Sequence, residues 1–400
     1  MTLIVITIVA SYGCRLARVE PTGEPTIEEG TWPQYRYAPR HLGLGAETET
    51  LGTDLVVKWQ SEPLAIGDYP ASKSSPTIDT DTVYIGVDDG RLYALDREDG
   101  SVRWTFETYK YVEEMVQEDS WHRGVHGTAA FDSERVYIGD YAGWLYAVDK
   151  ETGTLVWEEK LGGSIGASPV LYGGYVFMAV EYPYPDGRVF VLEADTGRTG
   201  YRTGFLGNHP HSSVSIDPER NLMFVGANNG YFFCFDFVQG EERWRYQTGG
   251  DIKSTAAVAE EIVYITSWSE NLHAFDIETG AEVFFFAASD KSMSSPALYE
   301  GAVYFGSHDT YLYCVDALTG ESIWEYRTGG RVISSPTVIP VGGLVAIGSN
   351  NGRIILVDAA TGEEQWSYRV GSKVSSVPAA VSGELYVYDD GGIVWCFASP

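Results

Sequence analysis

The chain carries seven histidines and eight lysines in 400 residues, and several of them stand where chemistry is conceivable. His209-Pro210-His211 has the spacing of a metal-ligand pair, but the motif brings no carboxylate or cysteine with it and does not read as a metal site. Trp121, His122, Arg123 and His126 fall within one short stretch that joins an aromatic ring to cationic and titratable groups. Lys73, His126, His211 and Lys253 each stand directly before a small-residue start such as Ser74-Ser75-Pro76. Brought together, these four would form a basic patch suited to a carboxylate-bearing ligand or an acidic peptide. The most repeated acidic groups, Asp96, Asp149, Asp236, Asp276, Asp316 and Asp358, stand at the head of turn-like segments ending in glycine. An aspartate at that place serves the turn by bonding backbone groups ahead of it, so no catalytic role is assigned to it. The sequence contains no G-x-S-x-G, H-E-x-x-H, EF-hand or lysine-bearing phosphate-loop motif, and no catalytic residue is assigned.

The elements that must hold these residues are set by an internal repeat. A unit of the form A-x-D-x-x-T-G-x-x-x-W appears as Ala94-Leu95-Asp96…Gly100…Trp104 and returns around Asp149, Asp236, Asp276, Asp316 and Asp358, with a worn copy at Glu193. The interval of roughly 40 residues is that of one four-stranded propeller blade. Within each unit, strand A follows the Ser-Ser-Pro-like start, and strand B is a run such as Val83-Tyr84-Ile85-Gly86. Strand C leads into the aspartate, and strand D contains the tryptophan. The Asp-to-Gly segment predicts a tight C–D hairpin, and the tryptophan predicts a large apolar face between neighbouring blades. Seven copies carry the acidic residue, and an eighth, from Ser375-Ser376 to Ala398, lacks strand D. Leu55–Trp59 has the shape of the missing strand and would close the ring, which removes an exposed sheet edge. The expectation is an all-β, eight-bladed propeller of antiparallel blades, or seven blades should Leu55–Trp59 lie elsewhere.

This unit resembles the tryptophan-docking repeat of the PQQ-like, or quinoprotein, propeller superfamily over about residues 55–398, and Trp32-Pro33-Gln34-Tyr35-Arg36 resembles its W-P-x-x-R lead-in. The resemblance implies the fold first. Its members include quinone-dependent alcohol and glucose dehydrogenases and the outer-membrane assembly lipoprotein BamB, so an activity does not follow from the fold. The dehydrogenases carry long insertions between blades and an adjacent-cysteine disulfide, whereas this chain has compact units and no vicinal cysteine pair. The resemblance therefore favours a non-catalytic scaffold of the BamB type that presents a rim face to protein partners. A PQQ-dependent dehydrogenase with a reduced active site is the alternative, and PQQ is the one cofactor it would bring.

Composition bounds the setting. With 27 Lys plus Arg against 56 Asp plus Glu, the net charge of -29 argues against nucleic acid or an anionic membrane surface as a partner and favours a soluble monomer. An acidic, lysine-poor surface of this kind resembles that of proteins from high-salt environments. Leu3–Ala10 is apolar but too short to span a bilayer, and Ser11-Tyr12-Gly13-Cys14 looks like a lipoprotein cleavage box, although Arg15 and Arg18 follow the apolar stretch rather than precede it. The reading is a signal-like segment and linker over residues 1–30, Cys14 as the lipid-attachment residue, and a single propeller over 31–400 at the cell envelope. Cys234, Cys314 and Cys396 share one place in three strands C and read as buried apolar residues.

Function is sought where the repeat fails. The step from Asp96 to Asp149 is longer than the others, and the excess falls in Glu107–Gly127, between one strand D and the next strand A. D–A and B–C connections share one face of a propeller, so this loop, Trp268 and His308 should share a rim. Aligning the residue before each strand A gives Lys73, His126, Gly166, His211, Lys253, Met293, Ile333 and Val374, expected to ring the mouth of the central channel. The candidate binding residues are thus Lys73, Trp121, His122, Arg123, His126, His211, Lys253, Trp268 and His308.

Overall fold

The computed structural model describes residues 19, 21–22, 27–45, 49–64, 74–108, 124–181 and 186–400. Among these, thirty-two strands form eight separate four-stranded antiparallel sheets. Blade one is Thr77–Ile78, Thr82–Val87, Arg91–Asp96 and Val102–Glu107. Blade eight takes Ala379–Val381, Glu384–Tyr388 and Val394–Ala398 from the end of the chain and its fourth strand, Val56–Gln60, from the beginning. The eight-bladed expectation holds, and so does the closure by Leu55–Trp59.

Strands B and C are buried almost throughout, while strands D alternate between exposed and half-buried positions, as the outermost strands of blades must. The aspartate-bearing C–D turns are built as the sequence implied. Asp149 Oδ1 accepts the backbone N–H of Thr152 at 2.9 Å and its hydroxyl at 2.7 Å, and Asp276, Asp316 and Asp358 do the same for Thr279, Thr319 and Thr361. The glycine that follows adopts a φ of 70° at Gly153 and 73° at Gly362, which only glycine takes at little cost. It must also be bare because the tryptophan of the preceding blade lies on it: a Cβ on Gly153 would sit 2.6 Å from the Trp104 ring.

The same tryptophans bind the blades edge to edge. Trp59, Trp104, Trp157, Trp244 and Trp324 donate their indole N–H to Arg97, Lys150, Ala194, Ile277 and Ala359 carbonyls of the next blade at 2.8–3.1 Å. Blade five carries Phe284 at this position and has no donor there. The corresponding carbonyl, that of Ala317, accepts the Tyr264 hydroxyl at 2.7 Å, as Ala194 and Ala359 accept Tyr137 and Tyr304 beside their tryptophans.

Around the channel, the innermost strands are tied by a belt of hydrogen bonds. Ser75 N–H donates to Thr128 Oγ1, Thr128 to Ser168, Ser168 to Ser213, Ser213 to Thr255, Thr255 to Ser295 and Ser295 to Ser335, each at 2.9–3.1 Å. Val377 N–H closes onto Ser75 at 2.9 Å. The belt lacks one link, from Ser335 to position 377, because valine offers no hydroxyl.

On the face opposite the D–A loops, the segment from Trp32 runs round the channel and meets the blades in turn. Backbone N–H groups of Ile78, Phe131, Ile216, Val258, Leu298 and Val338 donate to the carbonyls of Trp32, Pro33, Pro39, Arg40, Leu42 and Gly43 at 2.8–3.0 Å. Leu171 N–H reaches the Gln34 side chain at 3.0 Å, and Gly383 N–H reaches Glu49 at 2.9 Å. Tyr35 points into the channel, with its hydroxyl 3.3 Å from Ser295 Oγ and 3.4 Å from Ser335 Oγ. Arg36 is buried beside it and its guanidinium bonds the Pro296 carbonyl, while Nε and Nη1 have no partner. The lead-in motif is thus an internal strap that plugs the channel from below.

Candidate functional site

The open end of the channel holds a cavity of about 60 Å³ with Tyr35 at its floor. Its wall is the ring of residues preceding the strands A, among them His126, His211, Lys253, Met293, Ile333 and Ser375. The eighth member is Ser375 and not Val374. Tyr388 N–H bonds Ser376 Oγ at 3.1 Å as Gly86 N–H bonds Ser74 Oγ at 3.1 Å, so Ser376 is the counterpart of Ser74. The two serines at 375–376 invite alignment one residue too early, whereas Pro378 aligned with Pro76, Pro296 and Pro336 gives the register observed.

The B–C turns supply a second ring. Tyr141, Asn228, Trp268, His308, Asn350 and Asp390 each donate a backbone N–H, at 2.8–3.0 Å, to the carbonyls of Gly124, His209, Asp251, Lys291, Arg331 and Lys373 in the D–A loops. These bonds bring Trp268 and His308 onto the rim that carries His126, His211 and Lys253. Lys73, Trp121, His122, Arg123 and Cys14 lie outside the described residues.

The rim divides by charge, which the sequence reading of one basic patch did not foresee. On one side the histidines face buried carboxylates. Glu181, 2% exposed, meets His209 Nδ1 at 3.1 Å and His211 Nδ1 at 3.0 Å. His126 stacks on Tyr141 with ring centres 4.5 Å apart and places Nε2 3.6 Å from Asp88. The carboxylate missing from the His209-Pro210-His211 motif therefore arrives from another blade. Even so, no group of three or more His, Cys, Asp or Glu among the described residues has the arrangement to hold a metal ion.

On the other side stand cations seated on an aromatic ring, with Asp251 and Glu181 acting on Lys253 from beyond ion-pair distance. Lys253 Nζ lies 4.4 Å and Lys291 Nζ 3.9 Å from the centre of the Trp268 ring, and neither forms an ion pair among the described residues. Other basic groups are mostly neutralised, as Lys58 is by Glu98 and Glu384 and Lys150 by Asp79. Trp268 Nε1 and both ring nitrogens of His308 are buried without a hydrogen-bond partner. Burial lowers the Lys253 pKa against the raising effect of Asp251 and Glu181, and burial also lowers that of His308. Such a group of donors and charges, set on an aromatic face, is suited to a carboxylate: cation–π contacts position the ammoniums, and an anion relieves their mutual repulsion. Farther round, burial pushes Asp390 up to about 6, and the Ser375 hydroxyl donates to it at 3.1 Å.

Sequence reasoning missed Lys291, Glu181, Asp88 and Asp390. Lys291 stands two residues before the aligned ring, and the acids stand in B–C turns, so a second alignment anchored on the end of strand B would have found them. A larger cavity of about 420 Å³ opens on the opposite face beside Thr22, Ile27 and Gln34, but Lys150, the one cation among its described lining residues, is paired with Asp79 at 2.8 Å.

The family described as outer membrane protein assembly factor BamB matches residues 110–326 and 313–399. The chain belongs to this family. Residues 54–159 also match the β-propeller domain of glucose, ethanol and alcohol dehydrogenases. BamB of Nitrosomonas eutropha is 24% identical over 171 residues, covering 42% of this chain and 37% of that protein. Quinohemoprotein alcohol dehydrogenase ADH-IIG of Pseudomonas putida is 27% identical over 170 residues, covering 42% of this chain and 20% of that protein. The matched stretch thus spans well under two thirds of either relative. The crystal structure of BamB from Moraxella catarrhalis superposes with a TM-score of 0.67 at 20% identity, covering 86% of this chain and 97% of that one. At that identity the likeness establishes the BamB propeller fold. The chain is a PQQ-like, BamB-type β-propeller.

Proposed function

We propose that this chain is a non-catalytic scaffold at the cell envelope that offers its channel mouth to a partner and holds an acidic group of that partner on Lys253, Lys291 and Trp268. The observation that carries the reading is the pair of ammonium groups on the Trp268 ring, neither in an ion pair among the described residues, in a chain of net charge -29. Elsewhere such a chain repels acidic ligands, so a local cationic sector confers selectivity for orientation as much as affinity. Outer membrane assembly, named for the family, supports a protein partner and an extracytoplasmic setting. Lys73, Trp121, His122, Arg123 and His126 would extend the same surface, and Cys14 would tether it.

PQQ carries carboxylates, and Lys253 and Lys291 are the residues that would hold one of them. When bound, the quinone supplies two-electron oxidation. The acidic side of the rim is less suited to a metal partner for it, because Glu181 is already shared by His209 and His211. Affinity capture from envelope extracts tests the scaffold reading: one stoichiometric partner, lost with Lys253→Ala and Lys291→Ala, is expected. Saturable PQQ binding with calcium and dye-linked alcohol or sugar oxidation would replace it with the dehydrogenase reading.

A further inference from the structure

Blade five consists of Ala257–Val258, Ile262–Thr266, Asn271–Asp276 and an outer strand, Glu282–Ala287. Outer strands leave one row of backbone N–H and C=O groups unpaired, and soluble proteins protect such edges with charged or polar side chains. Seven of the eight blades do so. Opposite the strand C residue just before the one that faces the tryptophan or its counterpart, the outer strands carry Gln60, Thr105, Glu158, Arg202, Arg245, Glu325 or Ser367, and blade five alone carries an apolar residue, Phe285. Phe285 is 58% exposed and its neighbour on the same face, Val283, is 49% exposed. The next outward position is Ala287, where blades one and six have Glu107 and Arg327. The one charged residue of the strand, Glu282, is engaged by His273 at 2.7 Å and by the Tyr246 hydroxyl at 3.0 Å.

The surroundings of this edge are acidic. Between Arg245 and Lys291 the only Lys or Arg is Lys253, which stands at the channel mouth, while Glu260, Glu261, Glu270 and Glu278 are exposed. Arg220 of blade four reaches Glu261 at 3.0 Å and Glu278 at 3.7 Å.

We propose that the outer edge of blade five takes up an extended segment of a partner protein as a fifth strand, with apolar residues at alternate positions and basic residues at its ends. Backbone pairing supplies the attachment, Val283 and Phe285 set the register through the alternate apolar side chains, and Glu260 and Glu270, which lie outside the Arg220 pairs, favour the basic ends. A second copy of this chain is a poor occupant, because two such acidic edges would meet. This surface is separate from the channel mouth and does not depend on its reading.

The test uses the full chain and a labelled seven-residue peptide that alternates valine with threonine between terminal lysines, followed by fluorescence anisotropy. Saturable binding is expected, weakened at least about tenfold by Phe285→Lys, since that change removes an apolar side chain from the contact and adds a like charge. Thr105→Lys on blade one should leave the affinity unchanged, and far-UV circular dichroism should show both variants folded. A peptide N-methylated on its pairing edge, or one ending in glutamates, should bind at least about tenfold more weakly. Equal affinity for the Phe285→Lys chain, equal binding of the N-methylated peptide, or self-association of the wild-type chain that Phe285→Lys abolishes would each overturn the proposal.

Discussion

The indole of Trp366 donates its N–H to the carbonyl of Leu55 at 3.0 Å, joining residues 311 positions apart. At every other tryptophan-bearing junction the accepting carbonyl belongs to the C–D turn of the next blade. At this one the turn does not exist, since strands C and D of blade eight come from opposite ends of the chain. Leu55, next to Val56–Gln60, stands in for it. The ring therefore closes with the same hydrogen bond that links its ordinary neighbours.

Trp366→Phe should then destabilise the closed ring by about 1 kcal/mol, the usual worth of one such hydrogen bond, with the ring face still filled. Urea unfolding measures it: the midpoint should fall with little change in slope. An unchanged midpoint would mean the junction is held by packing alone.

The missing link in the inner belt can be supplied. Val377 is buried and lies where seven other blades, Ser335 among them, present a Ser or Thr hydroxyl. Val377→Thr keeps the shape and offers an acceptor to Ser335 N–H, so a gain of up to about 1 kcal/mol is expected in the same unfolding experiment. A loss would show that the blade seven to eight spacing differs from the rest.

Arg36 has the opposite character, a buried guanidinium with two nitrogens unpartnered and a pKa lowered to about 10 by burial. An unpaired buried charge is costly, and apolar replacement of such groups is often neutral or stabilising. Arg36→Met should raise the melting temperature, and a fall would mean that the bond to the Pro296 carbonyl holds the strap in place.

Asp390 gives a pH dependence with a definite sign. Its carboxyl is raised to about 6 by burial, from an ordinary value of about 3.9 in the unfolded chain. Between those values the folded chain binds a proton that the unfolded chain does not, so this group's contribution is present at about pH 4 and is lost as the pH rises through 6. Asp140, also raised to about 6 by burial, acts in the same window. Asp390→Asn should therefore be more stable than the wild type at pH 7, with the difference shrinking toward pH 4. A difference that grows as the pH falls would contradict the assignment.

Most of the fold was legible because each repeat unit states its own local physics. Asp276 and Gly280 announce a turn, Trp104 announces a blade junction, and Leu55–Trp59 shows its strand pattern although it is far from its partners. The strap was legible only as a motif: Trp32-Pro33 marked a lead-in, but nothing in its pattern says that Trp32–Gly45 together with Glu49 would contact every blade. The site was half legible. Lys253 and His211 emerged from aligning repeat positions, since a ring position on a regular scaffold is a spatial neighbour, and Trp268 and His308 from the D–A and B–C connections sharing one face. Glu181 did not, because it follows a strand B without the usual glycine, and Lys291 did not, because it lies two residues outside the aligned column. The division of the rim into paired and unpaired charges depends on which carboxylate meets which cation across blades, and that is fixed by tertiary distance alone.

The most direct test of the channel-mouth site is isothermal titration of the full chain with a short blocked peptide containing two adjacent glutamates, at low salt, in the wild type and in the Lys253→Ala, Lys291→Ala double variant. The account predicts saturable binding to the wild type with quenching of tryptophan fluorescence, weakened at least about tenfold in the variant and by added salt. Equal affinity in the two proteins, or no binding of the acidic peptide to the wild type at all, would contradict it.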